Sequence, residues 1–250
     1  MDLKVLEQSE NKITFVLKGV NNAFVNTLRR LITSEVPTIA IKDVTFMKNN
    51  SALFDETIAH RLGLTPLKGD VKGFEIENKD SMLVSLNCEG PLTVYASDLK
   101  FKDDSIKPVF PKMPIAKLLK GQEIELEATI GIGNGKDHAK HNPALAFYQG
   151  EAIIKVKDVK NAEDVFKECP REVFKLDGKT LKVDDASKCI LCNACSDLAE
   201  PEGSIEVNGS EADFKFTLES WGQYTPIELL ERALDMLDEK VSTFETLVDK

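Results

Sequence analysis

The chain has 250 residues, 42% of them hydrophobic, and carries 42 Asp and Glu against 32 Lys and Arg, for a formal net charge of −10. That hydrophobic share supports a packed core and excludes global disorder. The acidic balance argues against a domain that grips DNA or RNA phosphates by itself, and no run of about 18 apolar residues offers a membrane span.

In chain order, "MDLKVLEQSENK" has neither a basic n-region nor an apolar h-region, so no secretion signal is expected and the expected compartment is the cytoplasm. "LKVLEQS" and "KITFVLKG" alternate weakly and predict a hairpin. "VNNAFVNTLRRLITSEVP" predicts a helix capped by Asn21 or Asn22 and stopped by Pro37. Val25, Leu28, Leu31 and Ile32 fall on one of its faces. "TIAIKDVTF" reads as a strand and "DETIAHRLGLTPL" as a short helix ending near Gly63. From Phe74 to Ile132 the pattern is β-rich ("FEIE", "MLVSLNC", "LTVYA", "IELEATIGIG"), with one helical piece expected at "PIAKLLKG". "NGKDHAKHNPALAFY" reads as an ordered surface loop entering the strand "EAIIKV". Residues 159–204 change character, with a hairpin signal at Asp177–Gly178 and two short helical pieces. "SIEVNGS" and "DFKFTLES" resume the strand pattern, and "TPIELLERALDMLDEKVSTFETLVDK" closes the sequence as one long helix.

Four of the five cysteines lie in the 159–204 block. That grouping fits metal binding in a reducing compartment better than a disulfide scaffold. "CILCNAC" sets Cys189, Cys192 and Cys195 at C-x2-C-x2-C spacing, the ligand run of a ferredoxin. Two-cluster ferredoxins carry two copies of C-x2-C-x2-C-x3-C-P, each lending its last Cys to the other cluster. On that template one copy ends at Cys169–Pro170, and its three leading positions fall on Val159, Ala162 and Val165. The other copy keeps Cys189, Cys192 and Cys195 and has Ala199 in its last place. Every ligand of one cluster is therefore replaced by a small apolar residue, while Cys169, Cys189, Cys192 and Cys195 remain for the other. One iron–sulfur cluster is expected, with four irons preferred and a three-iron cluster on Cys189, Cys192 and Cys195 as a variant. A four-cysteine zinc site and disulfides stay open. Cys88, alone in a strand pattern, reads as a small core residue.

In the last helix Ile227, Leu230, Leu234, Leu237, Val241, Phe244 and Val248 recur at alternating spacings of three and four. They form a heptad-like seam about 36 Å long. Such a seam either packs on the chain's own sheet or meets a partner, and its length favours a partner. Arg29 and Arg30 are adjacent and cannot share one helix face, so at least one should aim at something beyond solvent, a carboxylate being the natural target. His60, His138 and His141 lack metal-ligand spacing and read as surface or hydrogen-bonded side chains. No phosphate-binding loop and no aspartate cluster able to hold two magnesium ions is present, so no catalytic residue is expected.

"NTLRRLITSEVPTIAIKDVTFMKNNSALFDETIAHRLGLTPL", residues 26–67, resembles the signature of the alpha-like subunits of cellular RNA polymerases. Its elements are Asn26, Leu28, Arg29, Arg30, Ala40, Val44, Asn49, Ser51, Asp55, Glu56, Ile58, Arg61, Leu62, Gly63 and Pro66; Thr65 stands where an apolar residue is usual. "GKDHAKHNPALAFY" and "FTLESWGQYTPIELLERALDML" are similar to later segments of the archaeal and eukaryotic members. The ferredoxin-like insert points to the archaeal branch. The resemblance implies an α+β chain in three parts. A discontinuous dimerisation domain would take residues 1–46 with 205–250, a β-rich insert domain 47–158, and a ferredoxin-like domain 159–204.

It also implies a non-catalytic assembly role in a DNA-directed RNA polymerase. The chain would pair with a small alpha-like subunit, L in archaea, to form a platform for subunits N and P and the large catalytic subunits. No direct contact with DNA or RNA is expected. The helix bearing Val25, Asn26, Leu28, Arg29, Arg30 and Ile32 and the seam of the last helix would form the dimer contact. Asp55 to Pro66 and the "HAKHNP" loop would face other subunits or brace the fold. The alternative from the cysteine motif alone is an electron-transfer module or an oxidoreductase subunit.

Overall fold

The computed structural model describes residues 1–69 and 82–248. Its elements in chain order are β1 (Asp2–Gln8), β2 (Lys12–Lys18), α1 (Asn22–Ser34), β3 (Thr38–Asn49), α2 (Asp55–Gly63), β4 (Leu67–Lys68), β5 (Met82–Glu89), β6 (Leu92–Tyr95), β7 (Lys100–Phe101), β8 (Lys107–Pro108) and β9 (Pro114–Leu118). They continue with β10 (Glu123–Gly133), β11 (Ala144–Val156), α3 (Ala162–Glu168), β12 (Phe174–Asp177), β13 (Thr180–Val183), α4 (Ala194–Leu198), β14 (Ile205–Ser220) and α5 (Pro226–Val248). This is the α+β class the sequence predicts. The predicted strand "FEIE" lies outside the described residues.

The chain divides into two compact units, one of Met1–Gln8, Ile13–Thr27 and Phe147–Thr217, the other of Ser9–Lys12, Leu28–Ala146 and Leu218–Lys250. The expected borders near residues 46, 158 and 204 are not the borders of compactness. In the first unit the ferredoxin-like block does not bury itself alone. Ala162, Val165, Val173, Phe174, Leu181, Cys189, Cys195, Ala199 and Ile205 form one buried cluster, against which Ile154 and Val156 of β11 and Val207 of β14 also pack. A block this short and this poor in large apolar residues completes its core on neighbouring strands.

The sheet order β1-β2-β14-β11 makes β2 and β14 the inner strands. In β2 both faces from Ile13 to Leu17 are buried, whereas every residue of the edge strand β1 is exposed. Phe15 of β2 stacks on Phe216 of β14 with ring centroids 5.2 Å apart, and Tyr148 of β11 meets Phe214 edge-on at 5.8 Å. The predicted hairpin is present, with Asp2 opposite Lys18. So is the one at Asp177, where Gly178 takes φ +63° in a two-residue loop between Asp177 and Thr180. Asn21 caps α1 by accepting a hydrogen bond from the Phe24 N–H at 2.8 Å.

The second unit holds the sheet β3-β10-β5-β7. In β10 Ile124, Leu126, Ala128 and Ile130 alternate inward, which is why this strand takes the centre. One expectation fails: "PIAKLLKG" is not helical. Pro114–Leu118 is a strand paired with β6, Leu92 opposite Leu118. A short apolar run does not distinguish the helical period from the strand period. Here Ile115, Ala116 and Leu118 are buried by pairing, whereas one isolated helical turn would carry the full nucleation cost.

Helix α2 has Asp55 and Glu56 in its first turn and His60 and Arg61 in its last, each complementing the helix dipole, with Ile58 and Leu62 buried. Helix α5 starts in a reciprocal cap. Thr225 N–H donates to Glu228 Oε2 at 2.7 Å, Glu228 N–H donates to Thr225 Oγ1 at 3.3 Å, and Pro226 takes the first helical position. The Thr225 hydrogen bonds hold the Glu228 carboxyl below its usual range.

Of the three histidines, His60 and His138 are exposed, while His141 is buried. Its Nδ1 lies 3.0 Å from the Thr38 carbonyl oxygen, and Thr38 Oγ1 donates to the His141 carbonyl at 3.0 Å. A Cβ on Gly133 would stand 2.6 Å from His141 Nε2, so a glycine is required there. Burial holds the His141 pKa below its ordinary value, helped by Lys140 and His138 and opposed by the Thr38 carbonyl. The unfolded chain therefore takes up this proton first. Stability should fall as pH drops below about 6.5 towards the lower folded value. Melting temperatures of wild type and His141→Asn between pH 7.5 and 5 test this: the variant should show the flatter curve, and equal slopes would refute it.

Candidate metal centre and open helix face

Cys169, Cys189, Cys192 and Cys195 all line one pocket, together with Pro170, Arg171, Val173, Phe174 and Val207. Cys169 follows α3 directly, and Cys195 stands in α4. The loop between Cys189 and Cys195 bends through two left-handed residues, Leu191 at φ +58° and Asn193 at φ +61°. Leu191 N–H donates to Cys189 Sγ at 3.4 Å. Asn193 then starts α4, its carbonyl accepting from Ser196 N–H at 2.8 Å. A tight chain reversal of this kind turns all three side chains of a C-x2-C-x2-C run onto one side. Cys189 and Cys195 are 8% and 7% exposed, Cys169 is half-buried and Cys192 is open. All five cysteines are free.

Burial pushes the Cys195 thiol up, and negative charge on Cys169, Cys189 and Cys192 pushes it the same way, against the Ser196 N–H. The Cys195 proton would therefore have to be displaced by a metal. Among the described residues no three His, Cys, Asp or Glu side chains group so as to hold a metal ion. The four cysteines line one pocket, and four thiolates are the donor set that an iron–sulfur cluster takes.

The positions read as an erased second site are core. Ala162, Val165 and Ala199 are buried, and Val159 packs against them. Cys88 is half-buried in β5, its thiol raised by burial and by Asp98.

Sequence reasoning missed the polar braces of the block. Gln149 Nε2 donates to the Cys189 carbonyl at 2.7 Å, and Lys215 Nζ donates to the Ser187 carbonyl at 3.0 Å. Asn161 ties the block's two ends, donating to the Leu198 carbonyl at 2.8 Å and accepting from Glu200 N–H at 2.9 Å. Asn161 precedes a helix and looks like an ordinary cap in sequence; nothing local marks Gln149 or Lys215.

On α5 the seam is not covered by the chain itself. Ile227, Leu234, Val241, Phe244 and Val248 are 46%, 44%, 48%, 67% and 66% exposed, and Leu230 and Leu237 are half-buried. The buried residues are Pro226, Leu229 and Ala233. They sit one position before the seam, about 100° round the axis. The helix thus has two apolar faces and uses one. From Val241 onward every described residue is exposed. Helix α1 is the reverse: Val25, Leu28, Leu31 and Ile32 are buried within the chain, and only Arg30 of the residues assigned there to a dimer contact is fully exposed.

The signature segment braces the fold. Asn49 Nδ2 donates to Asp55 Oδ1 at 2.7 Å, and Ser51 Oγ donates to Asn49 Oδ1 at 2.7 Å. Arg61 Nη1 donates to the Ile115 carbonyl at 2.7 Å, and the Pro66 carbonyl accepts from Val109 N–H at 2.9 Å. Glu56 stays exposed. A Cβ on Gly63 would stand 3.7 Å from Lys140 Cδ, so the lysine stem lies across this glycine.

Residues 44–154 match the family model described as the RNA polymerase Rpb3/RpoA insert domain. This β-rich insert, carried between the chain's two ends, defines an alpha-like subunit of RNA polymerase. Full-length relatives narrow the class. The chain is 33% identical to the DNA-directed RNA polymerase subunit Rpo3 of Methanosphaera stadtmanae, over 100% of the chain and 99% of the relative. It is 37% identical to that of Methanobrevibacter smithii (98% and 97% covered) and 36% identical to that of Pyrococcus furiosus (100% and 98%). The chain belongs to the Rpo3 family of archaeal RNA polymerase subunits, and such a subunit assembles with other polymerase subunits. No helix among the described residues is long and apolar enough to cross a membrane.

Proposed function

We propose that this chain is a non-catalytic assembly subunit working in the cytoplasm. It pairs through the open seam of α5 with the small alpha-like subunit L and so forms the platform for subunits N and P and the large catalytic subunits. The observation that carries this is the uncovered seam. Seven apolar positions run the length of a 23-residue helix whose other apolar face the chain already buries. Covering them would contribute roughly 10–20 kcal/mol gross, before entropy costs. Left in water they form an association-prone patch. The exposed acids Glu228, Glu231, Asp235, Asp238 and Glu239 border the seam and keep it from pairing indiscriminately.

The same reading assigns Cys169, Cys189, Cys192 and Cys195 as ligands of one iron–sulfur cluster, four irons preferred, with a structural role. A bound cluster would supply crosslinks between α3, the cysteine loop and α4. The chain's own residues prepare the place: Gln149 holds the Cys189 carbonyl, Asn161 joins the block's ends, and the erased second site supplies the apolar support.

Anaerobic co-expression with the small subunit tests both parts. A brown, one-to-one heterodimer with about four irons per chain is expected. A chain that stays monomeric in the partner's presence overturns the pairing. A colourless heterodimer with stoichiometric zinc overturns the cluster.

A further inference from the structure

The seam of α5 has two flanks, and they differ. Pro226, Ala233 and Lys240 each stand one residue before a seam residue, and Glu231, Asp238 and Glu245 each stand one residue after one. Successive residues are about 100° apart round the axis, so the two sets border opposite sides of the apolar stripe. The first flank turns into the chain's own fold. Pro226 and Ala233 are buried, and Lys240 Nζ lies 3.3 Å from Glu35 Oε2, just past α1. The second flank is open, with Glu231, Asp238 and Glu245 all exposed.

Every charge on the open flank is negative. Helix α5 carries six acids and two basic residues, Arg232 and Lys240. Both basic side chains are engaged within the chain, Lys240 with Glu35 and Arg232 over the Tyr224 ring at 4.4 Å from its centroid. Among the described residues Glu231, Asp238 and Glu245 form no ion pair. Positions that border an apolar heptad stripe, as these three do, are where paired helices set their choice of partner by charge.

We infer that the helix received by this seam carries Lys or Arg along the flank that meets Glu231, Asp238 and Glu245, and that the same acids keep two copies of this chain from pairing with each other. A homodimer through the seam would be isologous, with the same patch on both copies. The chain's own core takes one flank, so a second helix could lie only towards the open one and would bring acids against acids. Like charges in that place disfavour the wrong pair, and opposite charges speed the right one. The apolar seam alone does neither, because Leu234, Val241 and Phe244 would be covered equally well by a second copy. This selectivity rests on the α5 pairing proposed above.

The test compares the full chain with a neutral-flank variant that combines Glu231→Gln, Asp238→Asn and Glu245→Gln. All three side chains are exposed, so thermal melts of the two chains alone should agree. Association with the small subunit is then followed by stopped flow. Wild type should associate about tenfold or more slowly at about 0.5 M salt than at about 0.05 M. The variant should associate about tenfold more slowly than wild type at low salt, with little salt dependence of its own. In sedimentation without the small subunit, wild type should stay monomeric at concentrations where the variant self-associates. Equal rates with equal salt dependence overturn the inference, as does a wild-type chain that self-associates as readily as the variant. A wild-type chain that does not bind the small subunit at any salt overturns the α5 pairing itself and this selectivity with it, a result distinct from a pair that forms without regard to charge.

Discussion

If the proposed iron–sulfur cluster is held by Cys169, Cys189, Cys192 and Cys195, Cys192→Ser is expected to remove it and to loosen the block around it while the proposed heterodimer still forms. Cys192 is the exposed cysteine of the four. Its replacement neither opens a cavity nor buries a new hydroxyl, so loss of ligation is isolated from loss of packing. Without the cluster the block keeps its apolar cluster and its polar braces, but it loses the links between α3, the cysteine loop and α4. Ligation contributes folding free energy directly in small metal-bound domains. Amide exchange over Ala162–Leu198 should therefore quicken by about a hundredfold, near 3 kcal/mol of local stability. Iron should fall well below about four per chain. Protection and iron content unchanged from wild type would remove the structural role.

The second large effect is expected on α5. Leu234→Glu should weaken pairing with the small subunit by more than about a hundredfold, and Phe244→Ala by about thirtyfold, as truncation of central apolar anchors does. Neither should lower the melting temperature of the isolated chain appreciably, because both side chains are already exposed there. Leu229→Ala is the opposite control. Leu229 is fully buried, so its truncation should cost the isolated chain about 2–5 kcal/mol. Titration calorimetry with the small subunit, beside thermal melts of the chain alone, separates the two. If Leu234→Glu melted early and bound normally, the seam would belong to the chain's own core.

These contrasts show where the sequence was legible. Alternation over Lys12–Lys18, the cap-and-stop signals around α1 and the three-four spacing in α5 are local, and the structure has the hairpin and both helices. The cysteine template named four candidate ligands and four substituted positions; the first four line one pocket, and of the others Ala162, Val165 and Ala199 are core, with Val159 packed against them. Less legible was anything decided by what lies across from a segment. Pro114–Leu118 is a strand because Leu92–Tyr95 pairs with it. Helix α5 has a second apolar face, Pro226, Leu229 and Ala233, that a single-stripe reading merges with the seam. The dimer contact that the resemblance implied for α1 includes Val25, Leu28 and Ile32, which are buried within the isolated chain. Residue spacing tells which side chains share a face, and only the tertiary fold tells what that face meets.

The way the cysteine block is attached has a further consequence. It leaves the sheet after Val156 and returns at Ile205, on strands that are neighbours, and Lys157 N–H donates to the Ser204 carbonyl at 2.8 Å where it departs. Lys157 Nζ and Glu206 pair beside it at 3.0 Å. To the sheet, everything between is one long loop whose ends are already fastened, and lengthening such a loop costs only a slowly growing closure entropy. A lineage could therefore lengthen or trim the cysteine-bearing excursion at little entropic cost, but abandoning it would uncover Ile154, Val156, Ile205 and Val207 on the strands that carry it.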